Sequence, residues 1–412
     1  MPMMALAGLE YGAIDPTAVK DCHGYYTLPG SAHHYRDWKP AGHGGVDMRR
    51  AIVKSSNVYF YSLANELGVD LIHDQMEPLG FGRLTGIDLK GEVTGILPST
   101  EWKRRAYKRP EMKRWYAGET ISLGIGQGYN NFTMLQMATA LSTLVSDGKR
   151  FQPRVVREIE NVVTRERQAT ASDALPPLAY KPEHTAFIRE AMFGVTQEGT
   201  STRVFMGSGY RSGGKTGTAQ AVGLRQNEKY VASKVDEYRR DHSLYEAFAP
   251  ADEPRVALAI IVENAGFGAE AAAPIARRVL DYLLMDVYPS EEDIALVQVG
   301  KASAPVGTPR KASAMPLPRG LDAFGADVPG APEAASAASA AASAASAASA
   351  ASGATAASAA SVASSVAAPT ASSATMAASP SSAVPAAACS PAAPSAATPS
   401  PRAPAPPPSS AP

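Results

Sequence analysis

The C-terminal end of this sequence limits what the rest of it can do. From Ala334 onward the chain runs in Ala-Ala-Ser units interrupted by proline, with no aromatic side chain and with Arg402 as its one charge. Such a segment holds too little large apolar surface to offset the entropy of ordering it. Alanine favours helix, but serine at every third position and the later prolines oppose one. Charged and aromatic residues already thin out from about Pro289. The expectation is a disordered tail over residues 289–412 and a fold confined to residues 1–288.

Within that part, helical spacing appears at Val58, Tyr61, Ala64 and Leu67, closed by Gly68, with "KSSN" just before it. Thr133 and Gln136 are placed as a capping box ahead of "MLQMATALSTLV", and Asp147-Gly148 ends that helix. Further helices are expected over residues 183–195 and 272–285. The strongest strand is "RVALAIIVE" at 255–263, whose near-continuous apolar character suggests burial on both faces. Helices, then strands, then a helix predict a mixed α/β fold, a sheet packed between helical layers.

Several function classes are excluded early. Lys plus Arg and Asp plus Glu both number 39, so no global basic field argues for nucleic acid. The two cysteines, Cys22 and Cys389, cannot form a disulfide framework. No apolar run reaches membrane-spanning length, and the first residues lack the basic flank and cleavage site of a signal peptide. Residues 3–9 read as the apolar face of a helix with no lead-in before it. The expectation is a chain cut from something longer.

The stretch "GYRSGGKT" at 209–216 matches the phosphate-loop pattern letter for letter. A phosphate loop needs an apolar strand before the first glycine and a helix starting at the lysine. Neither flank fits, because upstream only residues 204–206 are apolar, and downstream Gly217, Gly223, Thr216, Thr218 and Val222 disfavour helix. The same residues predict a strand, with Lys215, Thr216, Gly217 and Thr218 lining a cleft. Read so, "KTGT" at 215–218 pairs with "SSN" at 55–57 as the Lys-Thr-Gly and Ser-x-Asn motifs of penicillin-recognising serine enzymes. Taken alone, Ser55 and Asn57 would be read first as capping residues for the helix from Val58.

The stretches "LPGSAHHYRDWKPAGHG", "SSNVYFYSLANELGVD", "LGFGRLTGIDL", "GIGQGYNNFTMLQMA", "GGKTGTAQAVGLRQNEKY" and "VALAIIVENAGFG" resemble, in order, the transpeptidase domain of the penicillin-binding protein 2 family, class B enzymes of rod-shape cell-wall elongation. The resemblance covers nearly all of residues 1–288. It implies the penicillin-binding transpeptidase (serine β-lactamase-like) α/β fold, here N-terminally truncated, and a D,D-transpeptidase that cross-links peptidoglycan stem peptides and is acylated by β-lactams. It also implies a membrane glycosyltransferase of the elongation complex as partner, the periplasmic face of the inner membrane as location, and no cofactor for acyl transfer. Nucleic acid and nucleotide are not implied.

By resemblance Lys215 supplies positive charge, Thr216 and Thr218 bind the substrate carboxylate beside Gly217, Ser55 relays a proton and Asn57 holds the substrate peptide. The family's nucleophile motif, Ser-x-x-Lys, precedes the helix that here reads "PMMALAGLE", so Met1 stands at the lysine position. The attacking serine is therefore not expected in this chain, and the isolated chain is expected to be inactive. Ser146 to Lys149 carries the Ser-x-x-Lys letters but lies at a helix C-terminus, where serine and lysine cannot share a helical face. A non-catalytic remnant that binds zinc or elongation-complex partners is the alternative reading.

Residues 22–43 concentrate metal-ligand types, and members of the family are described with a zinc there. The resemblance makes Cys22, Asp37 and His43 candidate ligands, with Ser56, a poor ligand, at a further ligand position. "GIGQG" at 124–128 lacks the strand a nucleotide loop needs and is expected to border the cleft. The aromatic and basic stretch holding Trp102, Tyr107, Trp115 and Tyr116 is expected to be a surface loop near the substrate groove rather than a nucleic-acid platform.

Overall fold

The structure, a computed structural model, describes residues 1–171, 173–221, 235–301 and 303–314. The tail beyond residue 314, with Cys389, and the stretch holding Val222 and Gly223 lie outside the described residues. The chain divides into two units, Met1–Asp322 and Ala323–Pro412, and all described residues belong to the first.

Among the described residues its largest sheet has three antiparallel strands, with Gly213–Ala219 at one edge, His242–Ala249 in the centre and Val256–Val262 at the other edge. Side chains alternate across a strand, and the central strand uses both faces. Phe248 joins the larger core, with Met4, Leu6, Ile52, Phe60, Leu144 and Met192. Tyr245, Ala247 and Ala249 join the smaller one, with Ala272, Ala276 and Leu280. Helices Met134–Val145 and Pro182–Gln197 therefore cover one face and Ala272–Met285 the other.

The first helix, Pro2–Glu10, is buried on every side, with Ala5, Leu6 and Ala7 at 0% exposure. Helix Met134–Val145 starts at the expected capping box, where Gln136 N donates to Thr133 Oγ1 at 3.1 Å and Thr133 N to Gln136 Oε1 at 3.0 Å. The expected last helix is found at Ala272–Met285.

Two expectations are corrected. Val256–Val262 is half-buried, because among the described residues it ends the sheet, and Ile261 is 37% exposed. Ordered structure also continues past residue 288: Val287–Tyr288 pairs with Arg310–Lys311, and helix Glu291–Gln298 follows. Ser290 caps that helix, and its Asp293, 1% exposed, accepts from Arg278 at 2.9 and 2.6 Å. An acid that reads as linker charge is an anchor once the arginine one helix earlier faces it.

Candidate active site

The site is built around a joint between two helices. Helix Met48–Lys54 starts at Asp47, whose carboxylate accepts from Arg50 N at 2.7 Å, and stops at Ser55. Ser55 has φ 57° and ψ 46°, the left-handed conformation that costs a residue with a Cβ about 1 kcal/mol. The next helix, Asn57–Leu67, begins two residues on, with Ser56 as its N-cap. This places Asn57 in the first helical turn rather than at the cap.

Lys215 reaches this joint from the edge strand. In the register Gly213 faces Phe248, Gly214 faces Ala247 and Lys215 faces Glu246. The glycines are required: a Cβ at Gly213 would lie 2.3 Å from the Phe248 ring and one at Gly214 2.0 Å from Tyr245 Oη. Lys215 Nζ donates to Ser55 Oγ at 2.7 Å and to the Thr216 carbonyl at 2.8 Å. Ser55 Oγ in turn donates to Met1 Sδ at 3.5 Å. Lys215 is 6% exposed, and burial lowers its amine to about 8 against the upward pull of Glu246. Burial holds the Glu246 carboxyl above the usual carboxylate range, opposed by the Met1 amino group and Lys215.

The strand continues through half-buried Thr216, Gly217 and Thr218. Thr216 Oγ1 lies 2.8 Å from Thr200 Oγ1, and Gln127 Nε2 donates to the Thr218 carbonyl at 3.1 Å. Because the strand is an edge, half of its backbone groups point away from its neighbour. Sequence reasoning placed Ser55 and Lys215 together, and their hydrogen bond joins them. It missed Glu246, Thr200 and the reach of Gln127 to Thr218; an acid between Tyr245 and Ala247 in an apolar run was the available signal.

Two sequence coincidences resolve. Lys215 sits inside a strand, not at a helix start, so the phosphate-loop geometry is not formed. Ser146 is the C-cap of Met134–Val145, after which Asp147 (φ 53°) and Gly148 (φ 85°) turn the chain and leave Lys149 exposed.

The zinc expectation finds no support. His43 Nε2 meets Asp37 Oδ1 at 3.1 Å, but Asp37 Oδ2 is taken by Val58 N at 3.1 Å and Ser56 Oγ at 3.4 Å. The Cys22 thiol points to the Lys20 carbonyl at 3.8 Å, and burial pushes it up, away from the thiolate a metal needs. Among the described residues no group of three His, Cys, Asp or Glu side chains is arranged to hold a metal. In this arrangement these side chains cap a helix and hydrogen-bond to one another.

The aromatic stretch encloses a cation. Lys103, 3% exposed, pairs with Glu119 and lies 5.3 to 6.0 Å from the ring centroids of Tyr107, Trp115, Tyr116 and Tyr129. Tyr129 Oη also donates to Glu119 at 2.9 Å. This cluster braces residues 117–131, the segment that carries Gln127 to the edge strand.

A fold of this kind with Lys215 on Ser55 defines a class, and comparison with known proteins agrees. The chain belongs to the penicillin binding protein transpeptidase domain family, whose model matches residues 2–281. Within it, the chain is 38% identical over 299 residues to the peptidoglycan D,D-transpeptidase MrdA of Haemophilus influenzae, covering 71% of this chain and 44% of that protein. The MrdA protein of Acinetobacter baumannii is 41% identical over 285 residues, 69% of this chain and 41% of its own. Among solved structures, penicillin-binding protein 2 of Pseudomonas aeruginosa, in complex with WCK 5153, is 35% identical with a TM-score of 0.59, covering 69% of this chain and 60% of that one. Two further neighbours are complexes: the Helicobacter pylori protein with MreC (26% identical, TM-score 0.56) and a peptidoglycan synthase complex that coordinates polymerization and crosslinking (28%, 0.57). They cover 69% and 68% of this chain, and 48% and 44% of those chains. The chain thus spans less than half the length of the curated relatives it matches.

Proposed function

We propose that this chain carries the supporting half of a peptidoglycan D,D-transpeptidase site of the penicillin-binding protein 2 type. The observation that carries it is the Lys215 amine, which bridges the Ser55 hydroxyl and the edge strand in a buried setting. In the reaction a serine oxygen attacks the carbonyl carbon of the penultimate D-Ala of a stem peptide. The peptide nitrogen takes a proton and D-Ala leaves. An amine from a neighbouring strand then attacks the ester, forming the cross-link and releasing the serine.

Below about pH 8 Lys215 is charged and attracts the terminal carboxylate. Thr218 hydrogen-bonds that carboxylate, and Thr216, tied to Thr200, orients beside it. Gly217 leaves the strand surface open to the substrate backbone. The Thr218 amide is half of an oxyanion hole, Ser55 passes the proton to the departing amine and Asn57 holds the substrate peptide bond.

Among the described residues no serine is built to attack. Ser146 and Lys149 are separated by a turn, and the position facing Ser55 Oγ holds Met1, whose thioether takes no proton. The chain by itself should therefore bind substrate without being acylated, and a β-lactam should occupy the same groove. By resemblance to the penicillin-binding protein 2 family, the intact arrangement works beside a membrane glycosyltransferase at the periplasmic face of the inner membrane, a reading supported by neighbours solved with MreC and in a peptidoglycan synthase complex. No helix among the described residues is long and apolar enough to cross a membrane.

The test is calorimetric titration with a pentapeptide ending in D-Ala-D-Ala. Binding that is absent for the L-Ala-L-Ala peptide supports the reading, and equal heats for the two overturn it. A fluorescent penicillin that labels the chain covalently contradicts the supporting-half assignment.

A further inference from the structure

Three consecutive residues outside both motifs grip the joint that carries Ser55. Trp38 Nε1 donates to the Lys54 carbonyl at 3.1 Å and to the Ser55 carbonyl at 3.0 Å. Asp37 Oδ2 accepts from Val58 N at 3.1 Å and from Ser56 Oγ at 3.4 Å. The Arg36 carbonyl accepts from Asn57 Nδ2 at 3.4 Å and from Tyr61 Oη at 3.2 Å. Every residue from Lys54 to Val58 therefore bonds to residues 36–38. The carbonyls of Lys54 and Ser55 end a helix and lack intrahelical partners, so the indole satisfies groups that would otherwise need water.

The gripping segment is itself fixed. Strands Lys20–Cys22 and Gly44–Val46 close the base of its loop. Asp37 N donates to the Gly24 carbonyl at 2.8 Å, and His43 N to the Cys22 carbonyl at 2.8 Å. His43 holds the second Asp37 oxygen and lies against Trp38, with ring centroids 5.5 Å apart. Gly24 (φ 96°) allows the close pass, since a Cβ there would lie 2.1 Å from the Pro40 carbonyl oxygen.

We propose that Arg36, Asp37 and Trp38 form a positioning clamp that holds the left-handed Ser55 joint so that its hydroxyl meets Lys215 and the Asn57 side chain is fixed beside it. The proposal deepens the transpeptidase reading and rests on it for the clamp's purpose. The clamp's action on Ser55 and Lys215 is a statement about geometry and is tested without substrate, so failure of one is distinguishable from failure of the other.

The test is NMR of the chain with 13C-labelled lysine side chains, following the Lys215 ε-carbon through a pH titration in the parent and in Ser55→Ala, Trp38→Phe, Asp37→Asn and Thr170→Val. Ser55→Ala removes the acceptor itself and calibrates the readout. Losing an acceptor of a charged amine lowers its titration point, by about one pH unit at most. Trp38→Phe keeps a ring and loses the donor; it should shift Lys215 in the same direction as Ser55→Ala, and Asp37→Asn should do so less. Thr170→Val deletes a hydroxyl bond to the Arg157 carbonyl of 2.9 Å in a remote hairpin and should leave Lys215 unmoved. The proposal is overturned if Trp38→Phe and Asp37→Asn both leave Lys215 at its parent value while Ser55→Ala moves it. It is also overturned if both variants fail to fold, which would make the segment a stability element and no more.

Discussion

Two serines in this chain close a helix at a left-handed turn, and their surroundings differ. Ser55 ends Met48–Lys54 and is itself left-handed; Ser146 ends Met134–Val145 and is followed by left-handed Asp147. At the first joint a buried lysine, an indole and a capping carboxylate converge from two distant segments. At the second, Thr185 donates to Asp147 at 2.7 Å and Arg189 pairs with it at 2.9 Å, tying one helix to another. The second joint has the letters of a nucleophile motif and only a structural task. The first lacks those letters and has the geometry of a site. What separates them is convergence in space, which short motifs do not encode.

The largest expected contrast is in stability. Asp37→Ala deletes a helix cap, an acceptor for Ser56 and the partner of His43, all buried, and should cost about 3 kcal/mol. Asp147→Gly removes a half-exposed ion pair and one acceptor of Thr185, whose hydroxyl keeps the Pro182 carbonyl, but places glycine where φ is 53°, and should stay within about 1 kcal/mol of the parent. Urea melts of the two variants decide this, and equal losses would erase the distinction between the joints.

Next comes binding. Lys215→Ala should weaken the D-Ala-D-Ala pentapeptide by about tenfold or more, the loss of a charge-assisted contact. Lys149→Ala should change it by less than about twofold, because exposed charges are screened. Comparable losses from both would make Lys215 one surface charge among many.

The smallest effect concerns protons. The Lys215 amine titrates near 8 in the folded chain against 10.5 for a free lysine. The unfolded chain then binds more protons between those values, so this residue's contribution to stability rises as pH increases from about 8 to 10.5. Below pH 8 the burial cost is present in full. Glu246→Gln removes the acid that pulls the lysine upward, and its titration should move below about 8 in lysine-labelled NMR spectra; an upward move contradicts the assigned pairing.

Much of this was legible in the sequence where chemistry is local. The Thr133–Gln136 capping box and the strand character of residues 215–218 follow from residue types a few positions apart, and both are found. The central strand His242–Ala249 was not singled out, although it sets the register that puts Glu246 across from Lys215. Residues 22–43 held donor-type side chains, and likeness to relatives suggested a metal. In the fold Asp37 instead spends both oxygens on hydrogen bonds, a matter of side-chain direction that residue type does not reveal. Trp38 was visible only as part of a matching stretch, since its role depends on two carbonyls sixteen and seventeen residues away.

The most direct measurement is a titration of the 15N-labelled chain with the D-Ala-D-Ala pentapeptide, reading backbone amide shifts residue by residue. The account predicts perturbations concentrated at Ser55–Asn57 and Lys215–Thr218, saturable, with residues 146–149 unmoved and no response to the L-Ala-L-Ala peptide. Shifts that are absent from Lys215–Thr218, or that are as large at residues 146–149, would contradict it.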